Sequence, residues 1–138
     1  MKKLLIAAII SLSSVTTAAV AEVKVGIILG FTGPIESLTP AMRDGARMAF
    51  DEASNSGNLL GGETITILEA DSTCVDSAAA TAAAEGVISQ GVAAIMGADC
   101  SGVTGAVNAN VAVPNGVLMV SPSATSPGLS KIADNGTF

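Results

Sequence analysis

The sequence predicts an α/β protein built on a doubly wound parallel sheet. Two observations carry that expectation. Apolar runs of strand length, with β-branched residues throughout, recur as Val23–Leu29, Val92–Met96 and Gly116–Val120, the pattern of strands buried on both faces. Between them lie stretches of helical character, bracketed by capping residues and breakers. Strand and helix therefore alternate along the chain, as a parallel sheet with crossover helices requires.

The elements follow in order. Val23–Leu29 is the first strand, bounded by Gly30. After the loop Phe31–Leu38, Thr39 is expected as an N-cap, with Pro40 at the first helical position, where a missing N–H costs nothing. Met42, Ala46, Ala49, Phe50 and Ala53 recur at helical spacing and predict the buried face of this helix; Gly57 is its stop. Thr64–Ala70 alternates and reads as the second strand. Asp76 is expected to cap an alanine-rich helix over Ser77–Gln90 that ends at Gly91. Val92–Met96 is the third strand. Ser101 to about Val113 is a third helix, weakened by Gly105 and stopped by Pro114, and Gly116–Val120 is the fourth strand. Each crossover is expected to be right-handed.

Residues 1–21 read as a secretory signal peptide. Lys2 and Lys3 precede the apolar stretch Leu4–Ile10, and Ala19-Val20-Ala21 supplies a small-residue cleavage site. The apolar stretch is too short to span a bilayer. Export places the remaining chain, 22–138, in an oxidising compartment, where its two cysteines, Cys74 and Cys100, read as a disulfide. Neither cysteine has the context of a lipid-anchored N-terminus, so no insertion into the membrane is expected.

Beyond the leader, four basic residues (Lys24, Arg43, Arg47, Lys131) face 12 acidic ones, a net charge of −8. No basic stripe survives that balance, which argues against nucleic acid or anionic lipid as a partner. Three Phe, no Trp and no Tyr leave few platforms for stacking sugars or bases. The absence of His removes the usual general base and the commonest metal ligand. Ser101 lies in Cys-Ser-Gly, outside a nucleophile elbow, and Asp71, Asp76 and Asp99 are scattered acids. The reading is a binding protein, with no catalytic residue, metal site or cofactor expected.

In open α/β sheets ligands sit beyond the carboxyl ends of the strands, where strand order reverses. With strand order 2-1-3-4, the loops Gly30–Leu38, Gly97–Ser101 and Ser121–Pro127 would line one crevice. All are rich in Gly, Ser and Thr, which offer backbone N–H groups and hydroxyls without bulk. Ser101 opens the third helix, where unpaired N–H groups favour a carboxylate. These residues have a second reading: Ser101 as an N-cap alone, and Ser123–Ser126 as a polar turn. Residues 30–34 do not match a dinucleotide fingerprint and no Walker loop is present.

Gly30-Phe31-Thr32-Gly33-Pro34, Asp99-Cys100-Ser101 and Ser121-Pro122-Ser123-Ala124-Thr125-Ser126-Pro127 follow the first, third and fourth strands. In that register they resemble the periplasmic binding proteins for branched-chain amino acids, the type I (leucine/isoleucine/valine-type) receptors that feed ABC transporters. The resemblance implies two α/β lobes that close on an amino acid or related amide and hand it to a membrane permease. It implies that residues 22–138 form part of the first lobe, and that the chain is a fragment lacking the second lobe and the strands returning to the first. Ser101 then binds the ligand carboxylate through hydroxyl and N–H, Thr125 reaches carboxylate and ammonium, and the Ser123 carbonyl accepts from the ammonium, with Ala124 between them. An acidic partner of the ammonium would come from the second lobe. Cys74 and Cys100 match the family's disulfide. Leu38 falls where relatives often carry an aromatic residue, a departure that leaves the ligand's side chain open. The same fold also serves as the extracellular sensing domain of receptors, the alternative function.

Overall fold

A computed structural model describes residues 22–138, and the expected leader over 1–21 lies outside them. The element order is β1 (Glu22–Leu29), α1 (Thr39–Asn55), β2 (Thr64–Asp71), α2 (Ser77–Ile88), β3 (Ala94–Gly97), α3 (Ser101–Val107) and β4 (Leu118–Val120). All paired strands are parallel, in the order β2-β1-β3-β4. The chain turns from one side of β1 to the other after β2, so the reversal lies between β1 and β3.

β1 is the apolar axis of the domain, with Ile27, Ile28 and Leu29 fully buried. Successive side chains serve opposite faces. Ile28 joins Ile95, Met119 and the inward residues of α2 and α3 in the main core, and a methyl group of Val87 approaches Gly26 closely. Val25 borders α1 across the other face, beside Ala46, Ala49 and Phe50. Burying each large aliphatic side chain contributes roughly 1.5–3 kcal/mol. The alanines of α2 work differently: Ala80 and Ala84 are fully buried, and their lack of bulk lets that helix lie close on the sheet. Asp76 caps it as expected, its carboxylate accepting from the amides of Ala78 and Ala79 at 2.9 and 3.0 Å.

Three local expectations need correction. Leu38, not Thr39, is the N-cap of α1. Thr39 is buried, and its hydroxyl donates to the carbonyls of Gly30 and Glu36, each at 3.2 Å, pinning the preceding loop instead of capping the first turn. Pro114 does not stop the third helix. α3 widens into a π-helical stretch over Asn108–Ala112, and Pro114 enters the last α-turn, Val113–Asn115. Asn115 Nδ2 donates to the Val111 carbonyl at 2.8 Å, and Gly116, in the left-handed region, ends the helix. The predicted buried face of α1 is only partly covered: Met42, Ala46, Phe50 and Ala53 are half-buried and Ala49 is exposed. Between α1 and the β3–β4 side of the sheet an apolar groove of about 390 Å³ stays open, with Val120 61% exposed at its edge.

Candidate functional site

Three loops leave the carboxyl ends of β1, β3 and β4, and side chains stitch the last two together. Gly97, at the end of β3, has φ +139°, and a Cβ there would run into the carbonyl oxygen of Ile28 on β1. Only glycine lets the two backbones come this close as the β3 loop departs. Ser121 Oγ then donates to the Ala98 carbonyl and accepts from the amide of Ala124 at 2.9 Å. Ser123 Oγ donates to the Asp99 carbonyl at 2.8 Å.

Ser101 stands where these loops meet. Its Oγ accepts from the amides of Thr125 and Ser126, both at 3.1 Å. A hydroxyl has two acceptor lone pairs and one proton. With both lone pairs engaged, the proton is left to donate elsewhere. Ser101 is half-buried and opens α3, whose N-cap, Cys100, provides no side-chain cap. Thr125 is exposed, and Ser123 and Ala124 are half-buried. Ser101, Ser123, Ala124 and Thr125 therefore form one group. Leu38 is not tied into it. It lies at the same end of the sheet, in the β1 loop, 56% exposed, with its amide donating to Ile35 O at 2.8 Å.

Cys74 and Cys100 are joined in a disulfide with Cα atoms 5.2 Å apart, within the usual reach. It ties the loop after β2 to the residue before Ser101. The β2 loop is also fastened to the β1 loop by Asp71, which accepts from the Thr32 hydroxyl at 2.6 Å, the Thr32 amide at 3.3 Å and the Thr73 amide at 2.8 Å. Burial pushes the Asp71 carboxyl up, but the Thr32 side chain and the amides of Thr73, Thr32 and Phe31 together hold it below its ordinary value of 3.8. The disulfide is the one expected from the sequence, whereas the Asp71 contacts and the buried carboxylate of Asp99 are not announced there, because their partners lie far along the chain. A concavity of about 480 Å³ flanks the group, with Ala124, Thr125 and Phe138 among the residues that line it. Among the described residues no cluster of three or more His, Cys, Asp or Glu side chains is placed to hold a metal ion. No helix among them is long and apolar enough to cross a membrane.

Residues 22–138 match the family model described as periplasmic binding protein. This chain belongs to the periplasmic binding protein family. Among curated relatives, a Leu/Ile/Val-binding protein, BraC3, of Rhizobium johnstonii is 34% identical over 111 residues, covering 80% of this chain and 29% of that protein. The leucine-specific-binding protein of Salmonella typhimurium is 30% identical over 129 residues, 94% of this chain and 34% of its own. Among solved structures, the branched-chain amino acid transporter substrate-binding protein LivJ from Streptococcus pneumoniae, in complex with isoleucine, superposes with a TM-score of 0.76. It is 31% identical, over 86% of this chain and 33% of that one. The leucine-binding protein LivK of Thermotoga maritima gives a TM-score of 0.69 at 29% identity, over 79% of this chain and 30% of that chain. The chain thus spans about a third of the length of these periplasmic binding proteins.

Proposed function

We propose that this chain supplies part of the first ligand-binding lobe of an ABC-transporter substrate-binding protein. That protein captures an amino acid of the branched-chain or a related type in the periplasm and delivers it to a membrane permease. It binds and releases without chemistry. The observation that carries the reading is the Ser101 hydroxyl, which spends both lone pairs on Thr125 and Ser126 and keeps its proton for a ligand. A carboxylate at that point would receive the Ser101 O–H, the first N–H groups of α3 and the exposed Thr125 hydroxyl. The positive helix end favours its charge. The Ser123 carbonyl would accept from the ammonium, and Ala124 leaves room between them. Leu38 would border the ligand's aliphatic side chain. The surface is one-sided, so capture needs a second surface to cover the ligand.

Titration calorimetry and thermal shift on the whole protein, with leucine, isoleucine, valine and other α-amino acids, test this. A ligand at a hundredfold over its Kd adds about 2.7 kcal/mol of stability. Ser101→Ala should weaken binding roughly 10- to 150-fold, the worth of one hydrogen bond to a charged group. A flat response to every α-amino acid, or full affinity in both Ser101→Ala and Thr125→Ala, would sink the proposal.

A further inference from the structure

Asp99 is the most deeply buried acid near the crevice, 2% exposed. The two ion pairs among the described residues, Arg43–Asp44 and Arg47–Glu69, do not involve it. Buried acids are rare without a partner, and here the partners are neutral donors from three places. Oδ2 accepts from the Gly30 amide at 2.6 Å, in the loop after β1. Oδ1 accepts from the Ser72 hydroxyl at 3.2 Å, after β2, and from the Cys100 amide at 2.9 Å, after β3. The carbonyl of the same residue accepts from Ser123, in the loop after β4. One residue thus touches the loops that leave all four strands.

The site admits only an acceptor pair. A carboxylate accepts at both oxygens, whereas a carboxamide of the same size would turn an N–H₂ group toward either Gly30 N–H or Cys100 N–H. Gly30 helps to make the room: a Cβ there would lie 3.1 Å from Cys74 Cβ and 3.3 Å from Asp99 Oδ2. Asp99 cannot itself reach a ligand, because it is enclosed and its oxygens are occupied.

We propose that Asp99 is the positioning residue of the binding crevice. Its buried carboxylate fixes the Gly30–Leu38 loop relative to the start of α3, its carbonyl holds the Ser121–Pro127 loop through Ser123, and the carboxylate so sets where the Ser101 hydroxyl points. The proposal rests on the amino-acid-binding reading for its consequence, though not for its geometry.

The test compares Asp99→Asn with Val87→Ala in the whole protein. Val87 is buried in the last turn of α2, toward the amino ends of the strands and away from the crevice, so its truncation loosens the core without touching the loops. Both variants should lower Tm. At a temperature where each is fully folded, Asp99→Asn should raise the Kd for leucine or isoleucine at least tenfold, and Val87→Ala should leave it within twofold. An Asp99→Asn Kd within twofold of the parent, or equal weakening in both variants, would overturn the positioning role. If Asp99→Asn does not fold, Ser72→Ala, which removes one donor, takes its place: a Kd raised severalfold supports the role and an unchanged one overturns it. If the parent binds no α-amino acid, the function proposal fails and loop order decides this one. Amide exchange at Gly30, Cys100, Thr125 and Ser126 should then be faster in Asp99→Asn than in Val87→Ala, and equal rates would refute the role.

Discussion

Removing the Cys74–Cys100 cross-link, by Cys74→Ser with Cys100→Ser, tests how the site's foundation is held. The bond closes a loop with a sequence separation of 26. Loop-closure entropy lost from the unfolded chain then corresponds to about 3.5 kcal/mol. A native-state term opposes part of it. Thr73 and Cys74 sit at φ +57° and +69°, a region that costs a non-glycine residue about 1 kcal/mol or more. Once the bond is gone both can relax. The net loss should lie between about 1.5 and 3.5 kcal/mol. Hydrogen exchange at the β1 amides of Ile27 and Ile28 reports opening of this sheet directly. Exchange there should quicken roughly 10- to 300-fold. No change at β1, or a change confined to the Thr73–Asp76 segment, would show that the cross-link merely decorates a loop and that the reasoning is wrong.

Two further outcomes follow from the same geometry. Asp71 has a carboxyl held below 3.8 by its donors in the folded chain, so its contribution is complete above about pH 5, where the unfolded aspartate is also ionised. It is lost as pH falls through the folded value. Thermal melts from pH 7 to 3 should therefore show Asp71→Asn less stable than the parent by a constant margin that closes only in acid; a margin that widens in acid would refute the assignment. A polypeptide limited to residues 22–138 should self-associate through the open α1 face, where Leu118 and Val120 are 51% and 61% exposed, and should bind amino acids poorly. Sedimentation should show Leu118→Lys with Val120→Lys shifting it toward monomer, and a monodisperse parent polypeptide with micromolar affinity would contradict the argument.

Much of the fold was legible because its signals are local. The apolar run of β1, the Asp76 cap with partners two and three residues on, and Gly57 just past the end of α1 are each decided within one turn of chain, whereas Gly116, expected to open the fourth strand, instead ends the helix before it. Strand order was legible only by analogy with doubly wound sheets, and the switch-point rule then placed the small-residue loops in one crevice. What local pattern could not carry was the use of polar side chains over distance. Thr39 looks like a cap, yet its hydroxyl turns back to the carbonyls of Gly30 and Glu36 in the preceding loop. Pro114 looks like a stop, yet the π-helical widening before it absorbs the ring. Asp99 shares a motif with Ser101 but meets Gly30 across 69 residues of sequence, and nothing in the spacing announces that. The apolar face of α1 was read correctly as apolar; its incomplete cover is a matter of tertiary packing, which periodicity does not report.

On the proposed reading, the same distinction favours the backbone end of an amino acid over its side chain. The atoms gathered at the crevice are backbone amides, carbonyls and short hydroxyls, and each is fixed by another loop: Ser121 to Ala98, Ser123 to Asp99, Ser101 to Thr125 and Ser126. Such groups are rigid before any ligand arrives, so little ordering cost is left for binding. They are also shared chemistry, equally good for any carboxylate beside an ammonium. Leu38 is different: exposed, apolar and outside that hydrogen-bonded group. In the proposed receptor it is the residue free to change without disturbing the frame. Replacing it should therefore redistribute affinity among amino acids, while replacing Ser101 should weaken all of them together.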